Sequence, residues 1–366
     1  MKTKKIVSFV LAASMLAGTS TTALANEPAK TTIPASVTET MHAETIHSLT
    51  GEYNNALTIK TLYDLSGNSF ELIETGQTGY YIFDTISGKY LEQAPESPSP
   101  YLGLSGNLYY FGPLNYYQKV GNTYKHTVLS DEYDFTYDLA IDMQNDFDSR
   151  LENSRETPDA TSRALMTQES INEETLQAYF AEAQAATNSY IPNYTYVKDA
   201  IYPANKNGTC GYTAACIVLN YWHKVKSGII DSSFLDSNGN LLTTGYTLQD
   251  KLVDYGGSDS SWGKIIRDAL VDYCNDYGVS ASSTYYITNW DIFAEVNSGR
   301  PVIVFGYFPS SPSPVTRGNV FHAVTAYGTQ RSGLVSKLIV HYGWSGYEHV
   351  LLDSGLVGSS TQFVPK

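Results

Sequence analysis

The sequence is 366 residues long, 42% hydrophobic and 16% charged, with a formal net charge of −14 and three cysteines. That length and composition suit a globular chain of two ordinary domains, and the acidity argues against nucleic acid or an anionic membrane surface as partner. Three cysteines are too few for a disulfide framework: at most one pair forms, and one thiol is left over.

The chain opens with Met1-Lys-Thr-Lys-Lys5, an apolar stretch from Ile6 to Gly18, and Ala23-Leu24-Ala25. A basic end, an apolar core and a small-x-small site are the parts of a secretory signal peptide, so residues 1–25 are expected to be removed after Ala25. Loss of Lys2, Lys4 and Lys5 takes the charge from −14 to −17. No later run approaches the ~20 apolar residues that span a bilayer, so a secreted or cell-surface protein is expected, with no membrane insertion after cleavage.

Residues 26 to about 50 read as a loose leader. The pattern then turns β, in short apolar and aromatic runs at Leu57–Ile59, Phe70–Ile73 and Gly79–Asp84, separated by Ser66-Gly67-Asn68, Gly76 and Ser87-Gly88-Lys89. Tyr80–Leu91 reads as a hairpin. Pro95, Pro98 and Pro100 impose an extended loop, and a further strand pair falls around Leu108–Tyr117 and Tyr124–Leu129. Residues 26–138 therefore form a β-rich N-terminal domain, in which His126 reads as a surface residue. From about 139 to 170 the chain is charged and poor in large apolar residues, which reads as a linker. Ser170-x-x-Glu173 is a capping box opening an amphipathic helix with Leu176, Tyr179, Phe180 and Ala183 on one face, stopped by Pro192. The linker and this helix make up 139–192.

Residues 193–366 form a second domain. Asn205-Lys-Asn-Gly208-Thr-Cys210 is a polar loop that delivers a cysteine to the start of a helix apolar on nearly all sides, from Ala214 to Trp222. Unpaired N–H groups and the helix dipole at such an N-terminus favour the thiolate, so Cys210 is a candidate nucleophile. A Gly/Asp/Asn-rich loop (231–245), a helix near 261–277 and a short helix at 290–297 follow. Strands are then expected at Val302–Phe308, Phe321–Tyr327, Leu338–Tyr342 and Val350–Leu352. Helices first and antiparallel strands after them make an α+β domain. A nucleophilic cysteine needs a base, and His322, at the head of a strand with small Ala323 beside it, suits that role. No Cys or His pair has ligand spacing, so neither metal nor cofactor is expected.

Gly208-Thr-Cys210-Gly-Tyr-Thr-Ala-Ala, Phe321-His322-Ala-Val-Thr-Ala-Tyr-Gly328 and His341-Tyr-Gly-Trp344-Ser-Gly346, in that order, together resemble a papain-fold bacterial cysteine peptidase. The likeness is to the C39-like group, with the streptopain branch similar in its closing Gly-Trp-Gly-Gly segment, and it covers Tyr202 to Leu352. It implies a secreted thiol endopeptidase acting on peptide or protein substrates. Cys210 attacks, His322 is base and acid, and Asn205 with the Cys210 amide holds the oxyanion. Two positions depart from the pattern. The third position, Asn or Asp in the family, is matched by His341 here: either it orients an imidazole by accepting its N–H, or another carboxylate or amide serves. The oxyanion glutamine is replaced by Ala204, leaving Asn205, or Asn207, as the amide donor.

The signal peptide, the linker and the order of the halves point to the β-rich domain as a pro-region contacting the catalytic domain, processed near Arg155 or Arg163. Two other classes compete: an inactive papain-like binding or adhesion module, and a Cys-His acyltransferase or amidase. In the second the His tends to follow the Cys more closely. Cys216 is expected in the core, and a Cys216–Cys274 bridge stays open. His223 is expected at the last helical carbonyls, and Trp344 over the active-site histidine.

Overall fold

The computed structural model describes residues 58–129, 134–156, 187–205, 208–257, 260, 262–287, 290–306, 323–332 and 335–366. The signal peptide, the Ser170 capping box with its helix, Arg163, Asn207 and His322 lie outside the described residues.

Short apolar and aromatic runs become strands in the first part of the chain: β1 (Thr58–Tyr63), β2 (Ser69–Glu74), β3 (Tyr80–Asp84), β4 (Tyr90–Ala94), β5 (Leu108–Tyr110), β6 (Tyr116–Val120), β7 (Thr123–His126) and β8 (Phe135–Thr136). The β3–β4 hairpin closes through Gly88, whose φ of 70° a side chain would resist. Its amide donates to the Asp84 carbonyl at 2.8 Å.

The stretch expected to be a linker is instead a 20-residue helix, α1 (Tyr137–Glu156). Ala140, Met143, Phe147 and Leu151 make its buried stripe at helical spacing. The rest of the buried face is polar (Gln144, Arg150, Ser154), which is why a count of large apolar residues misses it. Arg155, an expected processing site, sits in the last turn, and its guanidinium holds Asp84 at 2.6 Å and Asn68 at 3.2 Å. His126 is buried rather than on the surface: Nδ1 accepts from the Val128 and Leu129 amides, and Nε2 lies 3.0 Å from the Leu114 carbonyl.

The second part contributes β9 (Thr187–Tyr190), α2 (Thr195–Lys198), α3 (Cys210–Val225), α4 (Leu248–Gly256), α5 (Gly263–Tyr277), β10 (Ala281–Tyr286) and α6 (Trp290–Asn297). Then come β11 (Val302–Phe305), β12 (Ala323–Ser332), β13 (Val335–His341), β14 (Val350–Asp353) and β15 (Ser359–Pro365). The fold is mixed α/β. Its strands join in one sheet of order β10-β15-β11-β12-β13-β14-β4-β3-β2-β1-β5-β6-β7-β8, with β9 added on β12. β4 and β14 pair antiparallel, Leu351 opposite Gln93 and Leu352 opposite Glu92, so the sheet runs unbroken from one part of the chain into the other.

Alternation along β11 and β12 divides the core in two. Ile303, Phe305 and Ala323 join α3, α4 and α5 in one cluster. Val302, Val304, Val324 and Ala326 join Leu62, Phe70, Tyr80 and Phe147 of the first part in another. Helix α3 lies between the clusters and is buried at every residue from Cys210 to Tyr221. Its first residue is thereby fixed against the start of β12.

Candidate active site

The first turn of α3 is gripped by a loop fifty residues away. Ser260, fully buried, accepts the Gly211 amide on Oγ at 3.2 Å and donates from the same oxygen to the Gly208 carbonyl. The fit requires glycine at 211, because a Cβ there would stand 2.1 Å from the Ser260 carbonyl oxygen. Thr209 precedes the helix without capping it by its side chain. Ser260 takes that part.

The thiol of Cys210 is 2% exposed. The Ala323 amide points at Sγ from 3.4 Å, and Ser260 Oγ lies 3.7 Å away. Burial pushes the thiol up from its ordinary value, and the contacts from Ala323, Ser260 and the first helical amides reduce the rise without reversing it. The helix N-terminus favours the thiolate, and burial works against it.

His341 ends β13 directly opposite Thr325 of β12, whose hydroxyl donates to the Ala214 carbonyl of α3 at 3.4 Å. Cross-strand partners share a sheet face, so His341 faces the cysteine-bearing helix. It is fully buried, its ring meets Tyr202 edge-on at 5.1 Å, and burial lowers its pKa to about 3. The Gly343 amide donates to Nδ1 at 2.8 Å. A neutral imidazole accepting on Nδ1 carries its proton on Nε2. His341 therefore offers the site an N–H donor, whereas the sequence reading gives it an acceptor's role. Nε2 has no hydrogen-bond partner among the described residues.

Asn205 is half-buried, and its Oδ1 accepts the Thr209 hydroxyl at 3.1 Å. Ala204 is exposed and brings no polar atom.

Trp344 packs at 6.4 Å on Tyr116 and 5.8 Å on His126, both from the first part of the chain. His223 accepts the Ile230 amide on Nδ1 instead of meeting the last helical carbonyls. Cys216 and Cys274 are buried thiols without a disulfide, and burial pushes the Cys274 thiol up to about 11. Among the described residues no group of three or more His, Cys, Asp or Glu is placed to hold a metal, and no helix is long and apolar enough to cross a membrane.

Ser260 is the site residue that sequence reasoning misses. It lies in the run Gly257-Ser-Asp-Ser-Ser261, which signals only a turn, and its role exists through a contact with no local pattern.

Neither the family models nor the curated proteins compared with the sequence match it. Among solved structures, a fragment of Prevotella intermedia prointerpain A is similar at 12% identity and a TM-score of 0.37, over 84% of this chain and 98% of that one.

Proposed function

We propose that the chain is a thiol peptidase with Cys210 as nucleophile and His322 as general base and acid. One observation carries the reading: the Ala323 amide, next in the chain to His322, donates to the Cys210 sulfur across 113 positions of sequence. Two motifs with little meaning apart thus meet at a thiol. The chemistry is attack by the buried thiol with the imidazole as general base. The S–H proton passes to the His322 imidazole as the S–C bond forms, and the carbonyl electron pair moves onto oxygen. The Asn205 amide and the Cys210 N–H receive that oxyanion. The amine then leaves with the imidazolium proton, and water hydrolyses the thioester with His322 again as base. Secretion, as the signal-peptide reading has it, belongs to the same proposal.

A second reading, an inactive binding module, is favoured by the burial of the thiol and by histidine at the third position. Hydrolysis of an unfolded protein substrate decides between the two. Wild type is expected to cleave it, with kcat/KM falling at least ~10³-fold in Cys210→Ser and in His322→Ala, while Cys216→Ala stays within about twofold. Equal turnover by Cys210→Ser would remove the thiol from the mechanism. Substrate binding without turnover by wild type would establish the inactive module.

A further inference from the structure

The sequence reading makes the β-rich part a removable pro-region. We infer instead that residues 58–156 are a permanent half of the folded protein, staying bound to residues 187–366 and propping the active-site strand end even when the chain between them is cut.

A pro-segment that must leave lies on a surface able to stand uncovered. The surface here is not of that kind. Val302, Val304, Val324, Ala326 and Val340 share one buried cluster with residues of β1–β6 and α1. Departure of the first part would bare the whole of that sheet face to water, which is the unfavourable step in any dissociation. It would also strip β14 of its partner β4 and leave an open central strand edge.

Polar groups are matched across the same boundary, two of the pairs away from solvent. Lys337, 1% exposed, donates from Nζ to the Tyr90 carbonyl at 2.5 Å. Ser154 donates to Asp353 at 3.2 Å, Asn153 to the Gly355 carbonyl at 2.9 Å, and Tyr347 to the Pro98 carbonyl at 3.1 Å. The buried pairs, at Lys337 and Ser154, are costly to separate.

The boundary also reaches the site. His341 is followed by the turn Tyr342–Tyr347, in which the Tyr342 amide donates to the Tyr347 carbonyl at 3.0 Å. Trp344, inside that turn, packs on Tyr116 and His126, and Tyr347 meets the Tyr80 ring at 6.5 Å. The first part of the chain thus holds the turn whose Gly343 amide fixes the His341 ring.

The test nicks the whole protein. A recognition sequence for a site-specific protease is inserted after Arg163 in the Cys210→Ala form, so that no self-cleavage intervenes. The nicked protein is then run on gel filtration at micromolar concentration. Both pieces are expected in one peak of unchanged volume, parting only in denaturant. Separation of the pieces in native buffer overturns the inference, whatever state either piece is in. A second measurement uses the nicked protein with Cys210 intact and rests on the thiol-peptidase reading, which the elution does not. Its turnover is expected within about twofold of the uncut chain. A tenfold or greater rise on nicking would reveal an inhibitor and overturn the permanent role.

Discussion

At residue scale, a single backbone amide decides what His341 can do. With Nδ1 occupied by the Gly343 N–H, the side chain has a proton to give and no lone pair to offer. Asparagine at that position would offer either. Nitrogen-15 correlation spectra of labelled protein are therefore expected to show His341 as the Nε2–H tautomer, unprotonated down to pH 5. An Nδ1–H signal or an imidazolium at pH 6 would contradict the geometry. Burial lowers His341 to about 3 and His126 to about 4, both from 6.5. The unfolded chain then binds these protons first, so stability falls with pH from 6.5 downward until the folded value is reached. Each histidine contributes a slope of up to about 1.4 kcal/mol per pH unit in that window. Urea unfolding between pH 6 and 4.5 is expected to show a shallower slope for His341→Asn than for wild type.

At element scale, α3 is held by what lies outside it. Gly211→Ala drives a methyl into the Ser260 carbonyl, and the Ser260 loop has to retreat. The expected cost is about 1–3 kcal/mol in denaturant unfolding, with faster alkylation of the buried Cys210 as the displaced loop loosens the first turn. Ser260→Ala removes the hydroxyl's bonds to the Gly211 amide and the Gly208 carbonyl, at about 1 kcal/mol, without a steric push. If both variants matched wild type, the loop would not be what seats the cysteine. The helix itself was legible, since a run of small and apolar residues after a turn is a local signal. So were the hairpin at Gly88 and four of the strands after residue 301, though not β15 (Ser359–Pro365). Helix α4 was open to reading as well: Thr247 and Asp250 form a complete capping box, a pattern present in the letters but passed over. Helix α1 was obscured by its half-polar buried face, and Ser260 by being a contact made only in space. Local periodicity reports which face of an element is apolar and says nothing of polar residues that another element will satisfy.

At the scale of the whole molecule, the sheet is continuous because β4 accepts β14, and a carboxylate is buried at that seam. Glu92, opposite Leu352 and wholly buried, takes hydrogen bonds from the phenols of Tyr80, Tyr116 and Tyr110. Burial is the largest influence on it and raises its pKa; the hydrogen-bonded phenols pull the other way without prevailing. A carboxyl raised in the folded state keeps its proton longer there than in the unfolded chain. Its contribution is complete below the ordinary value of 4.5 and is lost as pH climbs through the raised one. Glu92→Gln keeps the shape and an acceptor but cannot ionise. Relative to wild type it is expected to gain stability as pH rises above 4.5 in denaturant unfolding, until the raised value is passed. Glu92→Ala, which strands three phenols in a cavity, is expected to lose about 2–4 kcal/mol at every pH. A constant difference between wild type and Glu92→Gln across that range would mean the carboxylate is ionised throughout and steadied by its tyrosines. The seam would then be held by a buried charge, and acid rather than alkali would open it.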